Sequence, residues 1–161
     1  MRMTAGSSPA APTRYRSKKV EMPKQIEFDG LFMDIAKQVA ELSKAKRLKV
    51  GAVLTKDSRI ISIGYNGTPQ GMDNCCEYGD ETKEEVIHAE ANVIAFLART
   101  SETTVGATMY TTTAPCPRCA ALMIQCKIER LVYSKRYRYD AGLDILEEAG
   151  VEITSLNPKG I

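Results

Sequence analysis

The β-branched runs VGAVLT and IISIGY, separated by the polar stretch Lys56-Asp57-Ser58-Arg59, constrain this chain's fold more than any other segment. They read as a β-hairpin, because two strand-like runs around a short polar turn have little else to form. After the hairpin the pattern changes to alternation. A helical run opens near His88 and carries Ala89, Val93, Ile94, Phe96 and Leu97, apolar nearly all round as a core helix would be. Then come the strand ATMYTTT, the helix CPRCAALMIQC, the strand RLVYS, the helix YDAGLDILEEAG stopped by Gly150, and the strand VEITSL. Ahead of the hairpin, Phe28, Leu31, Phe32, Ile35, Val39 and Leu42 follow helical spacing and predict an amphipathic helix to about Lys44. The order α-β-β-α-β-α-β-α-β predicts an α/β protein: a mixed sheet of about five strands, with helices on both faces in three α/β/α layers. No internal repeat interrupts it.

A chain of 161 residues encloses one sizeable core, so one domain is expected over residues 25–161. Residues 1–24 are rich in Ser, Pro, Ala and basic side chains without apolar period, and are expected to form a flexible arm. The net charge of +2 does not call for a nucleic-acid partner, since such binders concentrate basic charge on a face or stripe. No apolar run approaches the roughly 20 residues that span a bilayer, and the N-terminus lacks the apolar stretch of a secretory leader. A cytoplasmic location without membrane contact is expected. In a reducing compartment the five cysteines, Cys75, Cys76, Cys116, Cys119 and Cys126, read as thiols or metal ligands rather than a disulfide framework.

Cys116 and Cys119, in PCPRC, stand three apart at a predicted helix start, so both sulfurs can lie on one side of its first turn. The partial positive charge of a helix N-terminus favours the thiolates that a metal needs. A closed structural zinc site takes four protein ligands, usually through a second CxxC or paired histidines, and the chain has neither. Adjacent Cys75 and Cys76 are poorly placed to chelate one tetrahedral ion, and Cys126, on an apolar helix, reads as a core residue. The only histidine, His88, is available as a third ligand. Three protein ligands leave a position for water, the mark of a catalytic zinc, and zinc lowers the pKa of that water to about 7. Glu90 is the acid/base residue that could collect and deliver its proton. Residues two apart do not share a helix face, so His88 and Glu90 must flank a pocket from the helix's first turn.

HAE followed by PCPRC resembles the H-x-E…P-C-x-x-C signature of zinc-dependent nucleobase deaminases. The stretch KRLKVGAVLTKDSRIISIGYNGTPQGMDNC is similar to the N-terminal half of deoxycytidylate (dCMP) deaminases, including bacterial and phage members, and the resemblance runs from about Phe28 to Leu156. It implies the cytidine-deaminase-like fold, and a zinc-dependent hydrolysis of dCMP to dUMP and ammonia that supplies dUMP for thymidylate synthesis. It further implies that Asn66 bonds the nucleotide's sugar and Arg47 lies near its phosphate. Ala89, Thr112 and Ala114 would serve the substrate pocket, and Tyr137 and Arg138 its mouth, with Tyr139 or Arg136 as alternatives to that pair. Members are often homohexamers, activated by dCTP and inhibited by dTTP with Mg²⁺. By the same resemblance Gly64, Tyr65, Asn66 and Gly67 belong to the effector site. Some phage members hold a second, structural zinc with further histidine; here only Cys75 or Cys76 with carboxylates could contribute to one.

The zinc and proton-shuttle residues do not choose among deaminases. A polynucleotide deaminase would share them, but low net charge, 6% aromatics and no Trp disfavour a surface for splayed strands. Free nucleoside or nucleobase deamination is disfavoured if Arg47 points inward. A non-enzymatic zinc module would need a fourth ligand from a partner.

Overall fold

The computed structural model describes residues 25–157; the expected N-terminal arm lies outside the described residues. Helix α1 (Gln25–Ala40) precedes the hairpin β1 (Gly51–Lys56) and β2 (Arg59–Tyr65). Asp57 and Ser58 both have positive φ, 50° and 58°. Positive φ at both central positions is the turn geometry whose twist matches that of paired strands, so the polar turn closes the hairpin as expected. A short hairpin of β3 (Glu77–Tyr78) and β4 (Glu81–Thr82) forms inside the stretch read from sequence as a loop. The alternation then runs α2 (Ala89–Leu97), β5 (Thr108–Thr113), α3 (Pro117–Gln125), β6 (Arg130–Lys135), α4 (Ala141–Glu148) and β7 (Glu152–Ser155).

The main sheet has five strands in the order β2-β1-β5-β6-β7. β1 is antiparallel to β2 and β5, whereas β5, β6 and β7 are parallel, each joined to the next through a helix as parallel strands require. Alternate side chains leave opposite faces of each strand. Val53, Tyr110 and Val132 pack against Phe32, Met33, Ala36 and Val39 of α1. Their neighbours Ala52, Leu54, Met109, Leu131 and Tyr133 pack on the other face with residues of α2, α3 and α4, including Val93, Met123 and Leu146. This is the mixed, three-layer α/β/α arrangement read from the pattern.

α1 ends about four residues sooner than its apolar spacing suggested, and two of the six spaced residues miss its buried stripe. Leu31 and Leu42 are half exposed, while Phe32, Met33, Ala36, Val39 and Ala40 face the sheet. Past Ala40 the backbone tightens into three-residue bonds, Glu41 to Gln38 and Ser43 to Ala40. The Ser43 hydroxyl then donates to the Asn66 carbonyl at 2.7 Å and accepts the Ala45 amide, turning the chain toward β1.

Under α1 lies a buried charge pair. Asp29 accepts a two-pronged bond from Arg130 at 2.8 and 2.7 Å, and a third from the Tyr110 hydroxyl at 2.8 Å. Burial opposes the Asp29 charge, but the bonds from Arg130, Gln25 and Tyr110 outweigh it and hold the carboxyl below its ordinary value. A depressed folded pKa lends stability that is present at neutral pH and lost as pH falls below the ordinary carboxylate range and through the folded value. Asp29→Ala leaves a buried arginine without its main partner. We expect a loss of about 3 kcal/mol, at the low end for a broken buried pair because Glu152 still bonds Arg130 at 2.9 Å. Urea unfolding at pH 7 and pH 3 checks this: the gap between wild type and variant should shrink at the lower pH.

Candidate active site and metal centre

Both predicted ligand motifs sit at helix starts, and local chemistry puts them there. Pro117 is the first residue of α3, where its missing N–H costs nothing, and a proline forces the residue before it out of the helical region. Cys116 therefore caps the helix in extended conformation, φ −72° and ψ 165°. Cys119 lies in the first turn, three residues on. His88 caps α2 in the same way, φ −68° and ψ 155°. That extended backbone answers the spacing problem: His88 stands outside the helix, so it and Glu90 are not bound by helical periodicity.

The three ligand atoms converge. His88 Nδ1 lies 3.5 Å from the Cys116 sulfur and 3.5 Å from the Cys119 sulfur. All three atoms fall within 4.8 Å of one another, the one such group of three or more among the described residues. Zinc bonded to sulfur at about 2.3 Å and to nitrogen at about 2.0–2.1 Å in a tetrahedron sets S···N edges of roughly 3.6 Å. The donor set thus fits zinc in both chemistry and spacing. Without metal, hydrogen bonds from Cys119 and His88 hold the Cys116 thiol well below its ordinary pKa. The Cys119 thiol is pushed up by sharing that bond and by burial. His88 is raised by its bond to Cys116, against burial.

Glu90 is 4% exposed, and burial raises its carboxyl pKa. It faces a cavity of about 520 Å³, which His88, Cys116, Ala89 and Ala114 also line. The other walls carry Arg47, Asn66, Glu77 and Thr82, then Lys135, Arg136, Tyr137 and Arg138. The structure therefore gathers Arg47, Asn66, Ala89, Ala114, Tyr137 and Arg138 in the walls of the cavity beside the ligand trio. Of the alternatives at the mouth, Arg136 is in the wall and bonded to Asp140 at 2.9 Å. Tyr139 is not part of the wall; it is exposed and packs edge-on against Tyr137.

Thr112 is misplaced by one residue. It shares the α1 side of β5 with Tyr110, and its hydroxyl accepts the Gly51 amide at 3.2 Å. Thr113 lines the cavity instead, because successive strand residues face opposite ways. Asn66 is turned back on the chain: its side-chain oxygen accepts the Val50 amide at 2.8 Å and its NH₂ donates to the Leu48 carbonyl at 2.8 Å. One N–H and one lone pair remain for a ligand.

Gly64 has a structural reason to be glycine. It is buried, and a Cβ there would lie 2.8 Å from the Val93 amide nitrogen of α2, so this close approach alone requires a glycine. Gly142 plays the same part for α3: a Cβ on it would overlap the Pro115 carbonyl, so α4 sits directly on the turn that presents Cys116. Gly67 and Tyr65 lie outside the cavity wall, yet Gly67 exchanges backbone bonds with Ile87, at 2.8 and 3.1 Å, immediately before His88. The Cys75 thiol donates to the Glu77 carbonyl and Cys76 to the Asn74 carbonyl, each within two residues of itself. Cys126 caps the end of α3, half-buried against the core. Sequence reasoning missed Ala45, Leu48, Val50, Glu77, Thr82, Val86, Thr113 and Lys135 in the wall. Only the length of the loop that holds Glu77 and Thr82 pointed that way.

A mixed sheet with a His/Cys/Cys trio and a buried carboxylate at two facing helix starts defines a zinc hydrolase site. The family model for the cytidine and deoxycytidylate deaminase zinc-binding region matches residues 26–135. The chain is 35% identical to deoxycytidylate deaminase of Enterobacteria phage T4, covering 80% of this chain and 90% of that protein. To the enzyme of Mycobacterium phage D29 it is 37% identical over 68% of this chain and 95% of the relative. A dCMP deaminase from the cyanophage S-TIM5, solved with dCMP and dUMP, superposes with a TM-score of 0.79 at 36% identity, covering 84% of this chain and 99% of that one. The chain belongs to the cytidine and deoxycytidylate deaminase family.

Proposed function

We propose that this protein hydrolyses dCMP to dUMP and ammonia, with His88, Cys116 and Cys119 holding zinc and Glu90 moving the protons. The observation that carries the reading is the convergence of those three ligand atoms at a cavity that His88, Cys116 and buried Glu90 line and whose other walls hold four cations. Zinc, when bound, activates water for attack at neutral pH. Glu90 takes the proton that the attacking water gives up and delivers protons to N3 and to the departing amine, so that water and dCMP balance as dUMP and NH₃. Its burial keeps those protons from bulk solvent. Ala89, Thr113 and Ala114 leave room beside Glu90 for a flat pyrimidine. Arg47 and Arg138 serve the 5′-phosphate, for which a planar guanidinium fork is suited. The free N–H of Asn66 is available to the sugar, and Tyr137 packs at the mouth.

The finer reading adds regulation by dCTP and by dTTP with Mg²⁺, a hexamer, and a cytoplasmic role in supplying dUMP. The backbone exchange between Gly67 and Ile87 supports the effector part, since it joins the loop after β2 to the residue before a metal ligand. None of the described helices is long and apolar enough to cross a membrane.

Ammonia release from dCMP, CMP, deoxycytidine and a cytosine-containing oligonucleotide, with and without dCTP and Mg²⁺, tests the proposal. Release from dCMP that dCTP increases supports both parts. Release from the oligonucleotide alone would keep the chemistry and overturn the substrate.

A further inference from the structure

The loop between β2 and α2 brings into the cavity wall one carboxylate that neither metal binding nor proton transfer uses. Glu77 is 7% exposed and shares that wall with Arg47 and Thr82. Its Oε1 accepts the backbone amides of Lys46 at 2.8 Å and Arg47 at 3.3 Å. Its Oε2 is buried and has no hydrogen-bond partner among the described residues. An ionised carboxylate only accepts, and a buried oxygen left without a donor is costly, so the position calls for a donor from outside the chain. The cation whose segment Glu77 holds does not serve: the Arg47 guanidinium bonds the Thr82 hydroxyl at 3.4 Å.

The choice of donor rests on the dCMP reading. A nucleotide with its base beside Glu90 and its phosphate served by Arg47 passes its sugar along this wall. The phosphate is an anion and would be repelled. Away from the base, the 3′-hydroxyl is the group of a 5′-deoxynucleotide that has a proton to give at neutral pH. We infer that Glu77 Oε2 accepts the substrate's 3′-hydroxyl, while Oε1 fixes the segment that carries Arg47. One carboxylate then sets both the sugar and the phosphate cation. It also selects a free mononucleotide over a nucleotide inside a strand, where the 3′-oxygen is esterified and brings a negative phosphate against Glu77.

The test compares zinc-loaded wild type with Glu77→Gln, which keeps an acceptor for Lys46 and Arg47 but loses the charge. Substrates are dCMP, 2′,3′-dideoxy-CMP and deoxycytidine 3′,5′-bisphosphate, read by ammonia release. Wild type should favour dCMP over the dideoxy compound by about 10- to 100-fold in kcat/KM, as expected for a hydrogen bond to a buried charge. The variant should raise KM for dCMP, narrow that preference below about fivefold, and gain relative activity on the bisphosphate. Equal preferences in the two proteins would overturn the inference. Calorimetry with dUMP and 2′,3′-dideoxy-UMP reads the same contact without turnover. A protein that binds dUMP but leaves dCMP intact would fail the substrate reading alone, and the Glu77 assignment would stand or fall on the ratio of those affinities. If neither nucleotide binds, both readings fall.

Discussion

Glu90→Gln should lower kcat for dCMP by about 10⁴-fold while zinc stays at one per chain, because the variant removes proton transfer and leaves the ligands in place. The residue is 4% exposed in the first turn of α2, so an isosteric amide preserves packing and the effect reads chemistry rather than folding. Glutamine can hold a water by hydrogen bonding, but it has no basic oxygen to accept a proton and no acid to return one. The expected magnitude is the upper end for a single general acid/base, since one side chain serves both water and leaving group. Metal analysis and steady-state kinetics on the same preparation check it. Activity within tenfold of wild type, with zinc retained, would remove Glu90 from the mechanism.

The second large effect is at the ligands. Cys119→Ser is nearly isosteric at a position 5% exposed, yet replaces a soft thiolate with a hydroxyl that stays protonated and binds zinc poorly. Zinc should fall from about one per chain to near zero after dialysis, and dCMP turnover should disappear with it. Metal that binds only the folded state stabilises it by mass action, so a chelator should lower the wild-type Tm. The variant should already melt near the chelated wild-type value and show no further drop. His88→Ala should behave in the same way, because all three ligand atoms belong to one cluster. Full zinc content in either variant would overturn the assignment. Because thiolates and neutral imidazole bind the metal, acid should release zinc from wild type, with protons taken up as it leaves.

The elements and the chemistry at helix starts were legible for local reasons. A polar Asp-Ser turn between β-branched runs closes a hairpin whatever surrounds it, and it does so here with positive φ at both positions. Pro117 dictates the extended cap at Cys116 without help from the rest of the fold. The buried stripe of α1 was legible in period and mostly in phase: Phe32 and Val39 are buried with Phe28 and Ile35 packed beside them, while Leu31 and Leu42 fit the spacing and still face solvent.

Position around the cavity was another matter. Thr112 and Thr113 are alike in chemistry, and only the phase of β5 in the sheet sends the second to the cavity and the first to the Gly51 amide. Gly64, read by resemblance as an effector residue, must be glycine because α2 approaches β2 so closely. Glu77 lies 13 residues from Glu90 in a loop without period, so nothing local marks it as a wall of the same cavity.

By itself, then, the sequence determined the hairpin, the alternation that follows it, and the His/Cys/Cys donors able to hold zinc. These depend on side-chain type, turn chemistry and spacing within a few residues. The tertiary structure alone decided which residues surround the substrate space: strand phase, helix-to-strand approach and the path of the β2–α2 loop are set by contacts far apart in the chain. A Thr, Gly or Glu acquires its role there from what packs against it.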